Sequence, residues 1–207
     1  EMKVAAFLRF TLEGDLRRAI GEDELKVLYQ PIVDVNRREI VKAEALVRWP
    51  HVSRGSVPPP EFISLAEETG MIVPLTRAVM ERVCNDIVQL GDALPADFRV
   101  SINLSGVNFM DPQLIPTVRA VLEGAGLQAS RIEFELTETV LMRDLDYATT
   151  ILAQLREMGI RVAVDDFGTG YSSLAYLRRL AVDTLKIDRS FVGELVDGQG
   201  VAIVRAV

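Results

Sequence analysis

Short segments that alternate apolar and polar residues are separated along the chain by longer amphipathic segments. The short segments have the period of two that is typical of strands, and the longer ones have the three-to-four-residue spacing of helices. The predicted strands are Lys26–Val35, Glu39–Trp49, Phe98–Ser105, Arg131–Thr137, Arg161–Asp165 and Thr184–Asp188. The predicted helices are Pro60–Glu68, Pro74–Leu90, Leu114–Leu122, Leu145–Met158, Ser172–Leu180 and Phe191–Val207. Strands that alternate with helices predict an α/β fold in which helices cover a parallel sheet.

The first two predicted strands differ from the others because only Asn36, Arg37 and Arg38 separate them. A connection this short joins antiparallel strands, since a parallel crossover needs about a dozen residues or more. Ahead of this hairpin, residues 1–20 show the apolar spacing of a helix. We therefore predict a lead-in helix or linker from an upstream domain over residues 1–20, followed by one domain over residues 21–207.

Several predicted strands carry a polar side chain near one end, on the face opposite to their apolar residues. Glu135, for example, lies on the opposite face to Phe134 and Leu136, because successive side chains of a strand alternate between its faces. In a barrel of parallel strands, such residues meet at the carboxyl-terminal mouth, where enzymes of this architecture hold their active sites. The residues expected there are Glu44, Asn103, Glu135, Asp165, Asp166 and Lys186.

Carboxylates brought this close repel one another, and divalent cations relieve the repulsion. Ligands that offer only oxygen atoms, with an asparagine among them, favour Mg²⁺ or Mn²⁺ over zinc. The adjacent Asp165 and Asp166 suit two ions about 3.5–4 Å apart. From the residues alone, a structural interpretation stays open, because a buried polar residue at a strand end is often structural. An Asp-Asp pair before Phe-Gly-Thr-Gly is also compatible with a simple turn.

Composition and charge exclude several classes of site. The 207 residues include 23 Lys and Arg against 30 Asp and Glu, a net charge of −7 that argues against binding a nucleic-acid polymer. Cys84 is the only cysteine, so the chain forms no internal disulfide and no cysteine-based zinc site. We expect Cys84 to pack inside a helix layer. His51 is the only histidine, which excludes multi-histidine metal sites, and we expect it in an exposed surface loop.

Six short motifs follow one another in residues 16–207. They are Tyr29–Asp34 (YQPIVD), Ala43–Trp49 (AEALVRW), Ile102–Ser105 (INLS), Glu135–Glu138 (ELTE), Asp165–Leu174 (DDFGTGYSSL) and Lys186–Asp188 (KID). In these motifs the sequence resembles the EAL domain family, bacterial phosphodiesterases that act on cyclic di-GMP. The order and number of the motifs make the resemblance specific.

The resemblance implies a role for each matching residue. Its catalytic residues would be Glu44, Asp165, Asp166 and Lys186, with Lys186 holding the attacking water. Its metal ligands would be Glu44, Asn103, Glu135 and Asp165 for one ion, and Asp165 and Asp166 for the other. Gln30, Arg48 and Asp188 match substrate contacts, and Glu138 matches a residue that stabilises the loop Phe167–Ser173.

The same resemblance implies a TIM-type (β/α)8 barrel with an antiparallel first strand. Its reaction would be hydrolysis of cyclic di-GMP to linear pGpG, dependent on two Mg²⁺ or Mn²⁺ ions and inhibited by Ca²⁺. It further implies a homodimer, an upstream sensory or diguanylate cyclase-like domain, and a place in the cytoplasm or in the cytoplasmic part of a membrane-anchored protein. The alternatives are a catalytically inactive cyclic di-GMP receptor and a dimeric signalling scaffold.

A complete barrel of this type needs about 250 residues. We therefore expect its last units, with a further metal-facing glutamate, to lie beyond Val207.

Overall fold

The computed structural model of the chain describes residues 2–168, 180–188 and 190, and the side chains from residue 8 onwards. The chain divides into two compact units, residues 1–131 and residues 132–207. The predicted helix Phe191–Val207 lies outside the described residues, as does Ser172–Leu180 apart from Leu180. Among the described residues, no helix is both long enough and apolar enough to cross a membrane.

The first unit contains most of the described secondary structure. Its helices are α1 (Met2–Gly21), α2 (Pro59–Thr69), α3 (Ile72–Leu90), α4 (Gly106–Phe109) and α5 (Leu114–Ala125). Its strands are β1 (Lys26–Asp34), β2 (Glu39–His51), β3 (Gly55–Val57) and β4 (Arg99–Asn103). The short elements β3 and α4 have no counterpart among the predicted elements, because three or four residues are too few to show a period.

Strand β2 is the centre of the sheet in the first unit. It pairs antiparallel with β1, so the predicted hairpin is confirmed, and in this register Gln30 lies opposite Glu44. It pairs in parallel with β4, with Ala45 opposite Ile102, and antiparallel with β3. The end of β4 therefore lies beside the middle of β2, which places Asn103 near Glu44.

Helices α1, α2 and α3 pack against one another, and α3 also packs against β1, β4 and α5. The packing buries the apolar face of each helix, as the spacing predicts. The buried residues include Leu12 and Leu16 of α1, Phe62 and Leu65 of α2, Val79, Val83 and Cys84 of α3, and Val118 and Leu122 of α5. The expectation that Cys84 packs inside the helix layer is confirmed. The proposed domain boundary at residue 21 stays a prediction.

The prediction that His51 lies in an exposed loop is wrong. Strand β2 continues through His51, which pairs with Gly55 of β3, and only 7% of the residue is exposed. Its Nε2 lies 3.1 Å from Oδ2 of Asp15 on α1. Its Nδ1 accepts hydrogen bonds from the backbone N–H groups of Ser53 and Arg54, so the neutral ring carries its proton on Nε2 and donates to Asp15. His51 therefore joins α1 to the end of β2.

The second unit consists of β5 (Ile132–Thr137), α6 (Glu138–Met142), α7 (Leu145–Glu157), β6 (Arg161–Phe167) and β7 (Thr184–Ile187). Strands β5, β6 and β7 are parallel, as predicted. Strand β5 is buried on both faces, which is usual for a parallel strand under helices. Phe134 and Leu136 form its apolar face, and Glu133 and Glu135 form the other. The α/β class of the fold is thus confirmed in both units.

Candidate functional site

Three strands of the second unit bring a lysine between two carboxylates. The Lys186 ammonium on β7 donates hydrogen bonds to Glu135 on β5 and to Asp165 on β6, with its Nζ 3.1 Å from Asp165 Oδ2. The Glu135 side chain is fully buried, whereas those of Lys186 and Asp165 remain about a quarter exposed. The group is therefore partly exposed to solvent, and its hydrogen bonds hold the Lys186 ammonium between the two carboxylates.

A second polar pair lies on β5 and β7, two residues before Glu135 and Lys186. Glu133 is 1% exposed and accepts a hydrogen bond of 3.2 Å from Oγ1 of Thr184. The pairs Thr184–Glu133 and Lys186–Glu135 thus follow one another along β7 and β5. Glu133 is absent from the predicted site residues, although its alternation with Phe134 is a signal that it shares the face of Glu135.

The backbone turns sharply at the Asp165–Asp166 pair. The regular pairing of β6 with β7 is interrupted between Val164 and Phe167. Asp166 has a φ of 53°, in the left-handed region that few residues other than glycine adopt. Aspartate is one of the few residues that tolerate this conformation. The backbone N–H of Asp166 donates a hydrogen bond of 3.0 Å to Oδ1 of the preceding Asp165. The turn directs the two adjacent carboxylates differently.

The Asp166 carboxyl group lies in an acidic environment. Partial burial raises its pKa, the nearby carboxylates of Asp165 and Asp188 raise it further, and Lys186 opposes them. Asp188 itself accepts hydrogen bonds from the N–H and the hydroxyl group of Ser190, with a distance of 2.9 Å to the N–H. A cation beside Asp166 would relieve this accumulation of negative charge.

Glu138, the first residue of α6, is bonded to the end of β6. It is 7% exposed, and its Oε2 accepts the backbone N–H of Gly168 at 3.3 Å. Gly168 has a φ of 102°, and the residues from Thr169 to Arg179 lie outside the described part of the chain. The contact fixes the first residue after Phe167.

The first unit contains a separate pair of predicted site residues. Asn103 Nδ2, at the end of β4, donates a hydrogen bond of 2.9 Å to Glu44 Oε1 on β2. Gln30 lies opposite Glu44 across the β1–β2 hairpin. Arg48, further along β2, donates to the backbone carbonyl of Val47 at 2.9 Å. These residues therefore occupy neighbouring positions on adjacent strands.

A cavity of about 220 Å³ lies beside this pair, between the middle of β2, the end of β4 and the helices α2 and α3. Its walls are mostly apolar, and its polar lining comes from Arg48, Glu67, Thr76, Asn103 and Ser105. An apolar cavity with a few polar groups at its edge is the usual form of a small-molecule site.

The oxygen atoms of the predicted ligands suit a hard divalent cation. Carboxylate and amide oxygens are the ligands that Mg²⁺ and Mn²⁺ prefer, and Glu135 and Asp165 already hold a positive charge in the form of the Lys186 ammonium. Within the part of the chain that the structure describes, no three side chains of the types histidine, cysteine, aspartate and glutamate are grouped to hold a metal ion. The donor chemistry fits such ions, and it is divided between the two units.

Comparisons with known proteins agree with the motifs. The family model of the EAL domain matches residues 13–207. The cyclic di-GMP phosphodiesterase NbdA of Pseudomonas aeruginosa is 43% identical over 199 residues, which are 96% of this chain and 25% of NbdA. The bifunctional diguanylate cyclase/cyclic di-GMP phosphodiesterase MucR of the same organism is 41% identical over 207 residues, 100% of this chain and 30% of MucR.

A solved structure is also similar to the chain. The c-di-GMP complex of the PaMucR phosphodiesterase has a TM-score of 0.89 and 41% sequence identity, and the match covers 95% of this chain and 80% of that one. The chain spans only 25% to 30% of the length of the two curated relatives.

Proposed function

The chain belongs to the EAL domain family, and we propose that it is a metal-dependent phosphodiesterase that hydrolyses cyclic di-GMP to linear pGpG. The observation that carries the proposal is the group in which Glu135 and Asp165 bind the Lys186 ammonium. A buried carboxylate, a carboxylate that is a quarter exposed and a cation bound between them support this chemistry, because they place charged groups for a water and a phosphate at one site. Cyclic di-GMP as the substrate is supported by the relative NbdA, a cyclic di-GMP phosphodiesterase, and by the solved c-di-GMP complex of PaMucR.

In this proposal Lys186 orients the attacking water and faces the charge that develops on the phosphate. A water bonded to Nζ attacks one phosphorus atom of the ring, and the opposite P–O bond to a ribose breaks. The proton lost by the water balances the alkoxide that leaves, so the product has one terminal phosphate and one free hydroxyl group. Because the carboxylates of Glu135 and Asp165 fix the ammonium, its position needs no rearrangement during the reaction.

Mg²⁺ or Mn²⁺ ions would be held by five residues, Glu44, Asn103, Glu135, Asp165 and Asp166. Two such ions, when bound, generate a nucleophile at neutral pH and neutralise charge on the phosphoryl oxygens. The proposal that residues of both units serve one reaction rests on the family membership. It is supported by the donor chemistry, since each unit contributes oxygen ligands and neither contributes a histidine.

Substrate contacts are proposed for Gln30, Arg48 and Asp188. Arg48 suits a phosphate oxygen because its planar fork offers parallel donors, and it lies at the edge of the cavity in the first unit. Glu138 would keep the loop after Phe167 in place through its contact with Gly168. Each of these roles is tested by a conservative substitution that leaves the fold unchanged.

The remaining proposals concern the whole protein. They are a complete (β/α)8 barrel, a homodimer, a cytoplasmic location and an upstream sensory or diguanylate cyclase-like domain. The last of these is supported by MucR, which is a bifunctional diguanylate cyclase/cyclic di-GMP phosphodiesterase. Sedimentation equilibrium tests the homodimer, and a strictly monomeric chain would contradict it.

The activity is tested by incubating the chain with cyclic di-GMP and following pGpG by chromatography. We expect product with Mg²⁺ or Mn²⁺ and suppression of turnover by Ca²⁺. Binding is measured in parallel by calorimetry in Ca²⁺. Binding in Ca²⁺ with no product in either Mg²⁺ or Mn²⁺ would contradict the phosphodiesterase and point to a receptor, and absence of both binding and product would point to a scaffold.

Two substitutions test the residues. We expect Glu44→Gln and Asp165→Asn to lower turnover by about 10²-fold or more, since loss even of an outer partner of a metal ligand costs 10- to 100-fold. Glu39→Gln, at the other end of β2, and the exposed Asp97→Asn are the matched controls and should keep the parent rate. Unchanged turnover in either test variant, with parent-like thermal unfolding, would remove that residue from the proposed site.

A further inference from the structure

The amide of Asn108 is the centre of a buried polar cluster that follows β4. Asn108 is 4% exposed and belongs to α4, whose N-cap is Ser105. Its Oδ1 accepts hydrogen bonds from the Ser105 hydroxyl group at 2.8 Å and from the Ser105 N–H at 3.3 Å. In return, the Ser105 hydroxyl oxygen accepts the Asn108 N–H at 3.2 Å. This reciprocal capping box fixes the chain where it leaves the strand.

The same amide also bonds to the first turn of α3. The Thr76 hydroxyl group donates to Asn108 Oδ1 at 3.0 Å, and Asn108 Nδ2 donates to the carbonyl oxygen of Ile72 at 3.3 Å. Thr76 is 5% exposed and Asn108 is 4% exposed, whereas Ser105 is half-buried. Buried donors and acceptors are costly when left unpaired, and this cluster therefore has one favoured geometry.

The cluster lies directly beside a predicted site residue. Ser105 is two residues after Asn103, and Asn103 Nδ2 donates to Glu44 Oε1 at 2.9 Å. Thr76, Ile72 and Ser105 also line the cavity next to this pair. The direction in which the chain leaves β4 decides how the Asn103 amide approaches Glu44. The Asn108 cluster sets that direction by tying the turn to α3.

We propose that Asn108, held by Thr76, is a positioning residue that fixes Asn103 for ion binding. The inference rests on the proposed function in one respect, the role of Asn103 as a ligand. Asn108 and Thr76 act only through the backbone at Ser105 and contact neither ion nor substrate. Loss of a group that hydrogen-bonds to a metal ligand lowers metal affinity by about 10- to 100-fold, and we expect the lower end of this range because Asn108 acts through the backbone.

The test compares Thr76→Val with Thr76→Ser in the full chain. Valine has the shape of threonine without the hydroxyl donor, whereas serine keeps the donor. Mn²⁺ affinity is measured by electron paramagnetic resonance, without substrate. We expect the Kd of the Thr76→Val variant for Mn²⁺ to rise about tenfold and that of Thr76→Ser to stay within about twofold of the parent.

Two further variants separate positioning from stability. Asn108→Asp keeps the oxygen that faces Ser105 and Thr76 but places a second oxygen against the Ile72 carbonyl, so its Kd should rise as well. Val83→Ala, two turns further along α3, removes buried apolar volume without touching the cluster. We expect it to lower the unfolding temperature while leaving the Kd for Mn²⁺ unchanged.

The outcomes are distinguishable. If the parent chain neither binds Mn²⁺ nor forms pGpG, the proposed function fails and the inference fails with it. If the parent binds Mn²⁺ and Thr76→Val binds it equally well, only the inference is overturned. An affinity that falls equally in Val83→Ala would also overturn it, because the effect would then follow stability.

Discussion

The thiol of Cys84 is a probe of packing at a single residue. The residue is 1% exposed on α3, and this burial raises the pKa of the thiol from 9.0 to about 11, with a smaller contribution from Glu81. The folded chain therefore keeps the proton that an unfolded chain loses above pH 9. This stabilising contribution is complete below pH 9 and is lost as the pH rises towards 11.

We expect a disulfide reagent to label the folded chain at pH 8 at least about 100-fold more slowly than the chain in urea, from the thiolate fraction alone. Since Cys84 is the only cysteine, the labelling stoichiometry reports on this one site. Rapid labelling of the folded chain would contradict the packing of α3.

At this scale, strand alternation predicts the juxtaposed residues well. It places Glu135, Asp165 and Lys186 on one face of their strands, and the structure brings these three together. Asn108 was not predicted, because its partners Thr76 and Ile72 lie more than thirty positions away in the sequence. A local signal for it was nevertheless present, since a serine followed by an amide three residues later is the pattern of a capping box.

At the scale of elements, a hydrogen bond between Tyr29 and Asp86 connects strand β1 of the hairpin to helix α3. The Tyr29 hydroxyl group donates to Asp86 Oδ2 at 2.6 Å, and Asp86 also pairs with Arg82 one turn away. Tyr29 precedes Gln30, the proposed substrate contact. Burial and the Asp86 carboxylate raise the pKa of Tyr29, so the phenol remains a donor throughout the neutral range.

We expect Tyr29→Phe to lower the free energy of unfolding by about 1 kcal/mol and to raise the KM for cyclic di-GMP more than it lowers kcat. KM rises because β1, without its bond to α3, holds Gln30 less firmly opposite Glu44. A double-mutant cycle with Asp86→Ala isolates the contact, and its coupling energy should be about 1 kcal/mol. If the two substitutions had strictly additive effects on the free energy of unfolding, the proposed role of the Tyr29–Asp86 hydrogen bond would be contradicted.

Long elements are predicted better than short ones. The predicted helix Leu145–Met158 differs by one residue from α7, Leu145–Glu157, because four turns of apolar spacing define it. Strand β6 runs to Phe167 rather than to Asp165, since the left-handed conformation of Asp166 turns the backbone without ending the strand. The five-residue helix α6 was not predicted, because it is too short to show a period.

At the scale of the whole molecule, the protein and its proposed substrate both carry negative charge. The chain has a formal charge of −7, and each phosphodiester of cyclic di-GMP is an anion. Binding therefore depends on local positive charge, for which Arg48 and Lys186 are the protein groups proposed here. The acidic composition predicts that the substrate site needs local positive charge. It does not predict which of the 23 Lys and Arg residues provide that charge, because this depends on the folded strands.

The acidic balance also decides how the molecule responds to low pH. Asp15 on α1 accepts a hydrogen bond from His51 at the end of β2, and this bond lowers its pKa below the ordinary value of 3.8, with Arg18 contributing further. A carboxyl group whose pKa is lowered by folding stabilises the fold fully above its ordinary pKa. That stabilisation is lost as the pH falls through the lower, folded value.

We therefore expect Asp15→Asn to be less stable than the parent chain at pH 7 and the difference to shrink as the pH falls below about 3.8. Urea unfolding followed by circular dichroism over this range measures the difference, and the exposed Asp97→Asn serves as the control. A difference that stays constant to the lowest pH at which the chain folds would mean that the His51 contact contributes through shape and not through charge. A shrinking difference would mean that the ionised carboxylate of Asp15 holds α1 to β2. Acid would then weaken the attachment of α1 by protonating Asp15, although the buried apolar residues Leu12 and Leu16 carry no group that titrates.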